Sequence, residues 1–159
     1  DAVIGEVDGG RGPLDALLTV LRTGAASEML GLANGATDMT MAYLRDRKQF
    51  GQAIGSFQAL QHRAAHLYCE LEVARAAVLK AQQLLDQGAD AADRAATVAK
   101  GMVGFASLLA VQEGVQMHGG IGMTDEYDIG FYMKRQRVLA ELYGDSDFHA
   151  DRLARLSGY

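Results

Sequence analysis

A single proline, Pro13, stands in 159 residues, and that scarcity limits what the chain can become more than any other feature. Proline removes a backbone donor and clashes with the preceding helical turn, so beyond Pro13 only glycines offer points where a helix must break. The residues between them are rich in Ala, Leu, Met, Gln and Arg, which lose little side-chain freedom in a helix. An all-α fold is predicted. With 49% hydrophobic and 22% charged residues, the chain has the balance of one domain around one core.

Apolar spacing divides the chain. Residues 1–12 carry Ala2, Val3 and Ile4 and then Gly5, Gly9, Gly10 and Gly12, the pattern of a strand end and a turn, and are read as a linker or the end of a preceding β-domain. From Pro13, suited to a first helical turn, apolar residues recur near the 3.6 period through Leu14, Leu17, Leu21, Met29, Ala36 and Tyr43, predicting a helix to about Lys48. A loop over 50–55 leads to Ser56, an expected N-cap, and a second helix follows through Leu67, Leu71 and Val78 until Gly88. Asp90 or Asp93 is the expected cap of a third helix, with Val98, Met102, Phe105, Leu108, Val111 and Val115 as its apolar face, ending at His118. Shorter helices are predicted over 129–143 and 146–156, with Gly144 between them. Residues 13–159 therefore read as an up-and-down antiparallel four-helix bundle with short connections.

Several functions are disfavoured. A net charge of −5 without a long basic run offers no footprint for nucleic acid. No segment approaches ~18 uninterrupted apolar residues, so no membrane span is expected. The acidic start is unlike a secretory signal, and a cytoplasmic protein is expected. The one cysteine, Cys69, falls in a helical pattern and is read as a small buried hydrophobe. His62, His66 and Glu70 could put three metal ligands on one helix face, yet a solvated or core-edge stripe is the plainer reading. No glutamate has a histidine three residues on, as a di-iron bundle requires, so no metal is expected. Nor is there a Gly-x-Ser-x-Gly elbow.

Two corners could carry chemistry. Arg45, Arg47 and Lys48 either complement the negative end of the first helix or, through Arg47 with Gln49 and Phe50, offer a guanidinium fork and an aromatic face to a phosphorylated ligand. The run Gln116-Met117-His118-Gly119-Gly120-Ile121-Gly122 either terminates a helix or lets backbone approach a ligand. It is not the Gly-x-Gly-x-x-Gly of a dinucleotide fold and lacks a preceding strand.

The segment YLRDRKQFGQAIGSFQALQ, from Tyr43 to Gln61, resembles the stretch of acyl-CoA dehydrogenases in which R-K-x-F-G precedes an F-Q-x-x-Q helix start. EGVQMHGGIGMTDEY, about 60 residues on, resembles a second motif of the same family, and the similarity extends from Gly12 over essentially all the chain. The resemblance implies the C-terminal helical domain of a three-part enzyme that holds FAD and an acyl-CoA thioester, so these residues alone are expected to be inactive. It implies FAD contacts from Arg47, Gln49 and Phe50, adenosine-side contacts from Phe57 and Gln58, and close approach by Gln116, Gly119 and Gly120. It also implies a homo-oligomer, a dimer of dimers, and electron-transfer flavoprotein as a possible acceptor.

The family's reaction removes a proton α to the thioester, which needs a carboxylate base. Where many members carry the glutamate of an E-G-T segment, this chain has Tyr143, followed by Gly144 and Asp145. The family's second place for the base, in the first helix, falls on Leu21. Asp145 is the nearest substitute, with Glu141 and Glu126 further off, the last matching a structural glutamate of the family. The absence implies an alternative, a non-catalytic FAD-binding or structural subunit of a heterotetramer with a base-bearing paralogue.

Overall fold

The computed structural model describes residues 5–159, so the reading of Ala2, Val3 and Ile4 as a strand end lies outside it. Five helices follow a short bent segment: α1 (Arg11–Asp46), α2 (Gln58–Asp86), α3 (Ala92–His118), α4 (Ile129–Glu141) and α5 (Ser146–Leu156). The first begins two residues before the expected boundary at Pro13, which sits within its first turn where the missing N–H costs nothing. Between α1 and α2 the chain forms a minimal antiparallel pair, β1 (Lys48–Gln49) and β2 (Gln52–Ala53). Phe50 and Gly51 make its turn, both with positive φ, as two-residue hairpins require.

Cross-helix contacts give the direction of each helix. Thr19 reaches Asp93, and Tyr43 lies against His118, so α1 and α3 run parallel. Arg75 to Asn34 and Arg63 to Glu113 set α2 antiparallel to both. Arg135 to Glu28 sets α4 antiparallel to α1. The fifth helix continues downward along α3, with Ser146 on Gly101 and Arg152 on Thr97. Thus α4 and α5 together form the fourth column of an antiparallel bundle, broken at 142–145.

The third helix is the axis of the domain and packs against each of the other four. Its inward face is Ala96, Ala99, Val103, Ala106, Ala110 and Met117, while Met102, Phe105 and Leu108 point outward, 37%, 61% and 41% exposed. The expected face is corrected in part: Val111 is fully buried, as expected, but Met102, Phe105 and Leu108 are not on the inward side. A helix surrounded by others needs small residues to let their backbones close in, and alanine supplies them. A Cβ at Gly114 would lie 2.8 Å from Ile129 Cδ1, and one at Gly104 would overlap Ser146 Oγ, so both glycines permit close contact with the fourth column. The stretch Ala92–Met123 is long and apolar enough to cross a membrane by length and composition, but 56% of its apolar 18-residue window is buried within the bundle.

Two expected caps are corrected. Ser56 Oγ donates to Ala53 O at 2.7 Å instead of capping α2, whose N-cap position is Phe57 with no side-chain cap. The cap of α3 is Ala91; Asp93 faces sideways, accepting from Thr19 and pairing with Arg152 at 2.6 Å. Cys69 is exposed, contrary to its reading as a buried hydrophobe, because it lies two residues past the inward Leu67 and so far round the helix from it.

Candidate functional site

Because α1 and α3 are parallel, they end at the same face of the bundle. The first helix stops where Arg47 turns extended, at φ −70° and ψ 125°, its N–H still reaching Tyr43 O. Ile54 N–H then donates to Arg47 O at 2.8 Å, tying the hairpin back to the arginine. The third helix stops at Gly119, whose φ of +65° and ψ of −140° exclude a side chain. These two corners form one open cleft of about 350 Å³, with Arg47 and Gln49 on one wall and Gln116, Gly119 and Gly120 on the other.

A Cβ at Gly120 would meet nothing within 4 Å, so the fold itself does not demand a bare backbone there, and the space opens toward the cleft. The floor is aromatic. The His118 ring sits between Tyr43 and Tyr127, with centroids 4.4 and 4.6 Å away. His118 Nδ1 lies 2.6 Å from Gly114 O and therefore carries the proton, leaving Nε2 as an acceptor; that nitrogen is buried and has no partner. Burial lowers its pKa, so the ring is neutral, an effect the Gly114 carbonyl offsets in part. Among the described residues no carboxylate pairs with Arg47, whereas Arg63 on the same cleft is bonded to Glu113 at 2.5 Å.

Three predicted residues are not in the cleft wall. Phe50, at the hairpin tip with φ 54°, is 93% exposed, and its ring meets Phe57 edge-on at 6.1 Å. Gln58 is exposed on the first turn of α2. His62 and His66 are exposed too, His66 lying 3.5 Å from Glu70, and no group of three potential metal ligands is found among the described residues.

The sequence and the fold match a known family. A family model described as the acyl-CoA dehydrogenase C-terminal domain covers residues 8–157. This chain belongs to the acyl-CoA dehydrogenase family. Acyl-CoA dehydrogenase IpdE2 of Mycolicibacterium smegmatis is 43% identical over 119 residues, which are 75% of this chain and 36% of that protein. The short/branched chain specific acyl-CoA dehydrogenase of Bos taurus mitochondria is 33% identical over 134 residues, 84% of this chain and 31% of that one. Butyryl-CoA dehydrogenase of Megasphaera elsdenii superposes with a TM-score of 0.91 at 25% identity, over 98% of this chain and 40% of its own. The chain thus spans about a third of the length of the curated relatives it matches.

At the opposite end of this acyl-CoA dehydrogenase domain lies the break between α4 and α5. Arg22 Nε donates to Tyr143 O at 3.3 Å, which ties α1 to the corner that carries Tyr143. Neither Leu21 nor Tyr143 carries a carboxylate. Asp145 is engaged as the N-cap of α5, accepting from Phe148 N–H at 2.7 Å. Glu141 and Asp145 share a separate open cleft of about 380 Å³ with Phe105 and Gln136, whereas Glu126 follows Thr124 beyond the far end of α3.

The corner is also held by cations that no sequence pattern marked. Lys100, 1% exposed, donates from Nζ to Ala140 O at 3.0 Å and to Gly144 O at 2.9 Å. Burial pushes its pKa down, against the pull of Asp145 and Glu141. A lysine in a helical run looks the same in sequence whether it faces water or the core, which is why Lys100, Arg22 and Arg63 escaped notice.

Proposed function

We propose that the cleft joining Arg47 to Gln116, Gly119 and Gly120 holds FAD in the full-length protein, and that the domain serves α,β-dehydrogenation of an acyl-CoA thioester. The observation that carries this reading is the convergence, in one cleft, of two motifs far apart in sequence. The residues fit the group. Arg47 has the planar fork that matches a phosphate, Gln116 supplies an amide, and the bare backbone at Gly119 and Gly120 allows close approach. The unpartnered Nε2 of His118 leaves a polar atom of the cleft lining unsatisfied. Bound FAD would supply the hydride acceptor; the chain's own part is to bind and orient it. Phe50 and Phe57, outside the cleft, offer an aromatic ledge beside it.

A second reading concerns the base. Leu21 cannot take a proton, Asp145 is tied to a helix cap, and Tyr143 stands where the glutamate belongs. This favours a heterotetramer in which a paralogous subunit supplies the carboxylate. In support, a similar structure, 34% identical with a TM-score of 0.88, is a variant of the Tcur3481-Tcur3483 steroid ACAD, named for two components. Electron-transfer flavoprotein as acceptor has similar support from the caffeyl-CoA reductase-Etf complex subunit CarC of Acetobacterium woodii, 34% identical over 143 residues.

The test is flavin retention by the full-length protein. Arg47→Ala is expected to weaken FAD binding by about tenfold or more, since charged hydrogen bonds contribute about 1.5–3 kcal/mol. Unchanged affinity would remove the cleft from the flavin site. Bleaching of the purified homomer by an acyl-CoA would exclude the heteromeric reading.

A further inference from the structure

The geometry points to Arg63 as a second diphosphate-binding residue of the cleft, oriented by Glu113; this rests on the flavin reading above. Arg63 stands on α2 and lines the same cleft as Arg47. Its Nε is bonded to Glu113 Oε2 on α3, and among the described residues no acceptor takes its Nη groups. A guanidinium has five N–H donors in a fixed fork, so one edge can be anchored while the other presents to a ligand. The pair is half-buried, at 39% and 19% exposure, and its geometry is set before anything binds, which reduces the ordering cost.

A dinucleotide diphosphate offers more acceptor oxygens than the fork of Arg47 alone can bond, and the free Nη groups of Arg63 supply further donors. The second helix adds to the same field. It starts without a side-chain cap and without an acidic residue in its first turn, and Leu60 of that turn lines the cleft. The positive end of the helix dipole is therefore close by. Independently, the buried imidazole of His118 on the same cleft lacks one partner.

The competing role is a plain staple between α2 and α3, and titration of the full-length apoprotein separates the two. Arg63→Gln is expected to weaken FAD binding about tenfold, to flatten its dependence on salt, and to leave binding of riboflavin, which has no diphosphate, unchanged. Arg63→Lys should recover part of the loss, because the charge returns without the fork. A staple would show as equal drops in Tm for Arg63→Gln and Glu113→Gln with FAD affinity at the unmutated value, and that result overturns the inference. Arg47→Gln run alongside tells the two failures apart. If it weakens FAD binding while Arg63→Gln does not, only Arg63 loses its role; if neither does, the flavin reading of the cleft falls as well.

Discussion

At the residue scale, buried charge gathers where α1, α3 and α5 meet. Asp93 receives Arg152 at 2.6 Å, Thr19 at 3.2 Å and, more distantly, Arg22 at 3.7 Å. His149, 1% exposed, sits among Arg22, Lys100 and Arg152, with Phe148 edge-on to its ring. Burial first, and then the charges of Lys100, Arg22 and Arg152, lower its pKa to about 4, and the Tyr143 backbone offsets them only in part. Its pKa in the unfolded chain is near 6.5, so the unfolded state binds the proton first. The contribution is fully present above pH 6.5 and is lost as pH falls toward about 4, amounting to roughly 3 kcal/mol at most. Denaturant unfolding at pH 7 and pH 4.5 should show this loss, and His149→Phe, which cannot titrate, should lose less over the same interval. Equal losses for the two chains would mean that His149 is not the group responsible.

At the element scale, the break in the fourth column is a designed corner rather than a frayed join. Tyr143 adopts φ 62° and Gly144 φ 105°, and a tyrosine in left-handed backbone is uncommon enough to need support from around it. Lys100 gives that support through the Ala140 and Gly144 carbonyls, and Arg22 through Tyr143 O. Lys100→Met keeps the length of the side chain and removes the donor, leaving two carbonyls without their partner. We expect a loss of about 2 kcal/mol and faster amide exchange confined to 142–146, and wild-type exchange there would show that the corner stands without Lys100. Helix positions were legible from spacing to within two residues, because glycines and the period of apolar residues mark where helices run. The inward face of α3 was legible only in part, at Val111. Periodicity finds a stripe of large apolar residues, and here that stripe is Met102, Phe105 and Leu108, turned outward, while alanines pack inside.

At the scale of the whole molecule, that outward stripe and Leu14, Leu17 and Val20 on α1, each about half exposed, are more apolar surface than a lone domain needs. Phe105→Ser should leave Tm nearly unchanged, since the ring is 61% exposed, yet alter the mass of the full-length assembly measured by light scattering. A lowered Tm with unaltered mass would place Phe105 in the stability of the chain instead. From sequence alone, the all-helical class, the family and the two motifs that meet at the cleft were determined, since each is a matter of residue type and local spacing. Tertiary structure decided the rest. Only the parallel course of α1 and α3 brings Arg47 beside Gly119 and Gly120, and only burial distinguishes Lys100, Arg22 and His149 from solvent-facing residues of the same type. Both depend on contacts between residues far apart in the chain, whose energies come from the packing of helices on one another and leave no trace in local spacing.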